Sequence, residues 1–129
     1  MADDLMLTGA QAAYIGDAVW NLFIKKQVVL TNIRMAKTTI MTHRFVNASI
    51  QATIVLHWLD QGILTDQEIL WFKQGRNIKI NHPSNHKDIA NYRYASGFEA
   101  ILGYLYMTNA IQRLDQLLDN AYTFMVGSL

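Results

Sequence analysis

The chain has no cysteine and a single proline, and only 16% of its 129 residues are charged. Without cysteine there is no disulfide scaffold, no thiolate zinc site and no cysteine nucleophile. One proline and seven glycines leave room for long uninterrupted helices. The charge fraction falls below the roughly 25% of an average soluble domain, while 51% of residues are hydrophobic. That balance excludes intrinsic disorder, which needs low hydrophobicity and high charge. It also implies that a second subunit covers part of the exterior, so a homodimer is expected. A basic signal segment is lacking too. The start, Met1-Ala2-Asp3-Asp4, is acidic, and a cytoplasmic location is expected.

What is present reads as all-α, a single domain over residues 1–129. Thr8 with Gln11 makes a capping-box pattern opening a helix to about Gln27. Asn32 is expected to cap a second helix through Ile40, and a third runs from about Thr42 to Gln61, stopped by Gly62. Thr65 with Glu68 repeats the capping box before a helix reaching about Ile80. Asn81 to Asn85, around Pro83, reads as a loop. A short helix over Lys87 to Tyr92 and an apolar one from Tyr94 to about Thr108 follow. Asn109 with Gln112 is expected to cap a last helix through Met125, whose Leu114, Leu117, Leu118 and Ala121 recur at helical spacing. The run from Tyr94 to Gln112 carries one charge, Glu99. A central acid is costly in lipid, so this run is expected to be buried in protein and not to span a membrane.

Net charge is only +1, but it is segregated. Lys25, Lys26, Arg34, Lys37 and Arg44 fall in a stretch to Leu59 that holds no acid. Lys73, Arg76, Lys79, Lys87 and Arg93 follow, against Asp88 alone. One basic face suits a phosphate backbone, and solvated helix faces explain the same pattern equally well. Within the second stretch, Gly75 precedes Arg76 and Asn77, whose donors suit phosphate or sugar-hydroxyl contacts, with Lys79 following.

Two lone acids are the sharpest anomaly. Asp17 is the only charge in AAYIGDAVWNLFI, on a helical face with Ala13, Tyr14, Trp20 and Ile24. Glu99 is the only charge in YASGFEAILGYLY. Buried carboxylates are costly unless paired or bound to a cation, and neither helix offers a Lys or Arg within one turn. Each acid therefore finds a partner elsewhere, Arg76 or Arg93 for example, or the two converge on a metal ion. Gly16 and Gly97 are read as leaving room for it. Oxygen ligands without cysteine favour Mg²⁺ or Mn²⁺ over zinc. His82 and His86 straddle Pro83 and read as loop residues, and Asp115 and Asp119 as a solvated face.

At these residues the chain resembles a known family. AYIGDAVW around Asp17 is similar to the ribonuclease III signature helix, and SGFEAILGYLY around Glu99 to that family's second catalytic helix. QGRNIK, the NYRY run and the expected absence of a further domain resemble Mini-ribonuclease III, the catalytic domain without a double-stranded-RNA-binding domain. The resemblance implies an all-α homodimer that cuts double-stranded RNA with Mg²⁺, or Mn²⁺ as substitute. It implies maturation of both the 5′ and 3′ ends of precursor 23S ribosomal RNA, leaving 5′-phosphates. Asp17 and Glu99 would be the catalytic residues and metal ligands, with Ser96 supporting them. Arg76, Asn77, Lys79 and Arg93 would contact RNA, and assistance from a ribosomal protein is left open. The chain departs from the four-acid pattern of longer ribonuclease III enzymes, having Ala13 and Ser96 where two further acids stand. An inactive RNA-binding module is therefore the alternative. A helical nucleotide pyrophosphatase would need E-x-x-E pairs, which the chain lacks.

Overall fold

The computed structural model describes residues 6–31, 34–79 and 86–127. Six helices follow one another: α1 (Gly9–Leu30), α2 (Met35–Val46), α3 (Ala48–Asp60), α4 (Asp66–Arg76), α5 (His86–Met107) and α6 (Ile111–Gly127). The described residues contain no strand, as the all-α expectation required. None of their helices is long and apolar enough to cross a membrane.

Both capping boxes form. Thr8 Oγ1 accepts from the Gln11 N–H at 3.1 Å while the Gln11 side chain accepts from the Thr8 N–H at 3.0 Å. Thr65 and Glu68 do the same at the start of α4. At the end of α3, Gly62 takes φ +66 and the Ile63 N–H donates to the Trp58 carbonyl, a left-handed stop that glycine permits without strain.

Four helix limits differ from expectation. The break between α2 and α3 falls at Asn47 instead of near residue 41. Its Oδ1 accepts from the Ile50 N–H, and its Nδ2 donates to the His43 and Arg44 carbonyls, so one side chain closes one helix and opens the next. Asn32 lies outside the described residues, as does the expected loop at 81–85. Helix α4 ends at Arg76, short of Ile80, with Asn77 as its C-cap. The two helices expected on either side of Arg93 are one, α5. Asn109 does not cap α6 but ends α5, at φ +62, while the Ala110 N–H donates to the Leu105 carbonyl. Asparagine tolerates that left-handed geometry better than most residues.

Helix α5 is central, packing against α1, α3, α4 and α6. Phe98 on α5 meets Trp20 of α1 edge-on at 5.0 Å and Trp58 of α3 at 5.3 Å, all three fully buried. Both indoles keep a partner, Trp20 Nε1 donating to the Phe45 carbonyl and Trp58 Nε1 to Asn120. Leu114, Leu117, Leu118 and Ala121 face inward on α6, as their spacing predicted, and Asp115 and Asp119 are exposed. Buried Glu68 pairs with Arg113 at 2.8 Å, tying α4 to α6. Burial alone would raise the Glu68 pKa, but the Arg113 guanidinium and the Thr65 N–H more than offset this and hold it below the usual range.

The closest packing is between α1 and α5. A Cβ on Gly16 would lie 1.7 Å from the Glu99 carbonyl oxygen, and one on Gly103 would lie 1.8 Å from that of Ala12. Each helix therefore presents a glycine to the other's backbone. Backbone cannot move aside as a side chain would, so Gly16→Ala is expected to destabilise by about 3 kcal/mol or more, at the top of the overpacking range. Gly127→Ala, which meets nothing within 4 Å, is the control and should change little. Denaturant unfolding of the two variants checks the contrast.

Candidate active site

The close crossing of α1 and α5 puts Asp17 beside Glu99. The inward stripe of α1 runs through Ala12, Gly16, Trp20, Ile24 and Val28 at i, i+4 spacing. Asp17 is one residue past Gly16, so it stands at the margin of that stripe and is exposed. This corrects the expectation that Asp17 is buried among apolar residues. Its Oδ1 accepts from Asn21 Nδ2 at 3.1 Å, which orients the carboxylate.

Glu99 carries the burial instead. It is half-buried, with its carboxyl within hydrogen-bonding reach of Asp17. Burial first, then the hydrogen bond and charge of Asp17, push the Glu99 carboxyl up from an ordinary 4.5 to about 9, while the Gln51 amide opposes the rise. Neither acid is paired with Arg76 or Arg93. The Arg76 guanidinium lies 5.5 Å over the Phe72 ring and donates to Asn77, and Arg93 donates to the Arg76 carbonyl. Among the described residues, the structural ion pair considered from the sequence does not form.

The two acids open onto a cavity of about 980 Å³ also lined by Ser96, Gln51, Lys79 and Asp88. Ser96 is buried one turn before Glu99. Ala13 lines the same wall. Asp88 lies three helical turns from Glu99 along α5, about 16 Å at 1.5 Å per residue, too far to share an ion with it. Among the described residues no group of three or more His, Cys, Asp or Glu side chains is placed to hold a metal ion. The donor set is nonetheless suited to a hard divalent cation. It is made of oxygens, and Mg²⁺ is commonly held by one or two carboxylates, with waters and substrate phosphates completing the shell. A raised Glu99 beside a second carboxyl is also what a cation between them would relieve.

The glycines serve packing, which corrects the expectation that Gly16 and Gly97 open space for an ion. Gly16 admits the Glu99 backbone, and Gly97 admits the Phe72 ring, which a Cβ would meet at 2.4 Å. Of the expected RNA contacts, Arg76, Asn77 and Arg93 gather at the end of α4, and Lys79 lies on the cavity wall with the acids. Gln51 was missed. Inside SIQATIV it looks like any polar helix residue, and only the packing of α3 on α5 brings it to Glu99.

The raised Glu99 pKa has a stability consequence with a definite sign. A carboxylate favoured in its neutral form by the fold destabilises the fold when it ionises. The cost is absent below about 4.5, grows as pH rises, and is complete above about 9. Glu99→Gln keeps the shape without the charge. In metal-free buffer at pH 7 it is expected to be more stable than the parent by about 1 to 3 kcal/mol, the difference vanishing near pH 4. Thermal unfolding across that range tests it.

Known proteins are similar to this chain along most of its length. The ribonuclease III domain family matches residues 10–110, the stretch that contains both acids. A Mini-ribonuclease 3 of Streptococcus pneumoniae is 32% identical over 118 residues, covering 91% of this chain and 92% of that protein. One from Clostridium tetani is 38% identical over 111 residues, covering 82% and 70%. In fold, a crystal structure of a Fusobacterium nucleatum protein superposes with a TM-score of 0.80 over 98% of both chains, at 24% identity. With the family's match spanning both helices of the site, the chain belongs to the ribonuclease III domain family, in its Mini-ribonuclease 3 branch.

Proposed function

We propose that the chain is a divalent-metal-dependent endoribonuclease that cuts double-stranded RNA, and that its helices act as one catalytic domain. The observation that carries this reading is the convergence of Asp17 and Glu99 from two helices onto one cavity. The substrate fits the Mini-ribonuclease 3 relatives, and precursor 23S ribosomal RNA, trimmed at its 5′ and 3′ ends, is the specific duplex proposed.

Asp17 and Glu99 are the residues that would hold Mg²⁺, or Mn²⁺ in its place. Bound there, the cation supplies Lewis-acid neutralisation of charge on a phosphodiester and a more acidic water. Around it the chain's own groups orient and bind. Asn21 fixes the Asp17 carboxylate, and the Ser96 hydroxyl supports the Glu99 side of the site. Lys79 on the cavity wall and Arg76, Asn77 and Arg93 at the end of α4 take the RNA backbone by charge and donor geometry. A-form duplexes are read mainly by shape, which suits a site built from phosphate-binding donors.

A homodimer is part of the proposal. Tyr14, Leu22, Val29, Leu30 and Met35 are large apolar side chains left exposed on α1 and at the start of α2, and a second copy would cover such a surface. Two sites related by a twofold axis match the two strands of a duplex. The inactive-module alternative has no support, because both acids are present and adjacent and the relatives' names are those of ribonucleases.

Incubation of the purified chain with a structured RNA duplex is expected to give Mg²⁺-dependent cleavage, abolished by EDTA. Asp17→Asn and Glu99→Gln should each lower the rate by about 100-fold or more, beyond the usual effect of losing a ligand's supporting group. No cleavage by the parent chain in Mg²⁺ or Mn²⁺ would sink the reading.

RNA binding is expected to weaken steeply with salt. Each phosphate contact contributes about 0.9 to the slope of log affinity against log salt on a duplex. Arg76→Ala and Lys79→Ala should each reduce that slope by about one contact, measured in Ca²⁺ or with the Asp17→Asn variant to prevent cutting. Unchanged slopes would place the RNA on another face.

A further inference from the structure

Gln51 stands out among the polar side chains of the interior. It is 3% exposed, in the first turn of α3, and its Nε2 has no hydrogen-bond partner among the described residues. Buried polar groups are ordinarily paired, and an orphaned amide donor carries the full cost of its lost water. The helix offers no local reason for glutamine here, since its neighbours Ala52, Ile54 and Val55 are fully buried hydrophobics. The side chain lines the cavity that holds Asp17 and Glu99, and its amide acts on the Glu99 carboxyl in the direction of a donor. The two side chains are thus adjacent, while Nε2 keeps no hydrogen bond of full geometry among the described residues. Asn47, one turn earlier on the same cavity wall, differs: its amide is fully used in joining α2 to α3.

From this geometry we infer that Gln51 is a positioning residue, whose Nε2 donates to the Glu99 carboxylate and orients it when the site holds its cation. The inference rests on the proposed function for the identity of the site, and deepens it by naming a third helix, α3, as part of the machinery. Groups that orient a ligand typically change metal affinity or activity by about 10- to 100-fold when removed. Asp17 has such a partner in Asn21, on its own helix. Glu99 has none on α5 that the structure shows, and Gln51 fills that role from across the cavity. A buried donor without a partner among the described residues is a cost to folding, retained where it is used.

Two variants separate this role from simple packing. Gln51→Met keeps the length and removes both amide atoms; Gln51→Glu keeps the shape and the oxygen and removes the donor. Three measurements are made on each: thermal unfolding without metal, Mn²⁺ affinity of the protein alone by calorimetry, and kcat and KM on duplex RNA. Gln51→Met is expected to melt no lower than the parent, to bind Mn²⁺ about 10-fold more weakly, and to lose about 10-fold in kcat with KM within about twofold. Gln51→Glu is expected to lose kcat to a similar extent. Parent-like Mn²⁺ affinity and kcat in Gln51→Met would overturn the inference. So would a marked fall in its metal-free melting temperature, which would make Gln51 a structural residue. Full kcat in Gln51→Glu would also overturn it, by assigning the role to the oxygen. A parent chain that binds Mn²⁺ without cutting RNA would refute the proposed function alone, and the Mn²⁺ affinities of the variants would still decide the part played by Gln51.

Discussion

Everything at this site depends on how closely α1 and α5 approach. Two glycines, one on each helix, let backbone touch backbone at Gly16 against Glu99 and at Gly103 against Ala12. Contact at two places along the crossing sets both the distance between the helices and their relative rotation. Asp17 follows Gly16 directly, and Glu99 is itself the residue Gly16 touches. The spacing of the carboxyl groups is therefore a consequence of packing, held without any ion pair between the helices among the described residues. Trp20 on α1 packs edge-on against Phe98 on α5, with Trp58 of α3 also against that ring, and this contact resists sliding of α1 along α5. Fold and site share one constraint, so a change that spoils the crossing spoils both.

That crossing also divides the cost of the acids unequally. Asp17 sits at the rim, where water can reach it, and Glu99 sits deeper. One carboxyl is displaced strongly toward its neutral form while its neighbour supplies part of the reason. Such a pair is a poor structural device, since no cationic side chain among the described residues is paired with it. It is a reasonable binding device, because an incoming cation removes the repulsion and recovers what folding gave up. By contrast buried Glu68 accepts from the Arg113 guanidinium and the Thr65 N–H and is a structural acid. The contrast between these two glutamates separates the site from the scaffold.

Much of this was legible in the sequence, and the reasons for the rest are physical. Caps at Thr8 and Thr65 are local chemistry, settled within four residues, and both formed as read. The two acids showed themselves because a single charge in a long apolar helix is costly wherever it lies. Which of them is buried was not legible, since one residue step around a helix turns a side chain by about 100° and the packing angle decides the outcome. Gly16 and Gly97 were read as openings for an ion, when α1 and α5 use them to admit backbone and a ring. Asn47 looked like one polar residue within a longer helix, because bonding to two helices at once is not visible from composition. Gln51 gave no signal at all, for its neighbourhood is made by α3 meeting α5, which lie far apart in the chain.

The small number of acids has its own logic within the proposed function. Where the fuller pattern of the family would set four carboxylates, this wall has Ala13 and Ser96, one apolar and one neutral. A divalent cation between only two carboxylates keeps open positions and less neutralisation, so the protein alone holds it less firmly. An RNA phosphate brings negative charge and oxygen donors to the same place. Cation and RNA then strengthen each other's binding, and by linkage the factor is the same in both directions. On that reading the basic residues at the end of α4 and Lys79 on the cavity wall would work toward the same result, holding the phosphate backbone near the acids without competing for the ion. A site poor in acids would in this way be matched to a substrate rich in phosphate, its cation retained best when the RNA is in place.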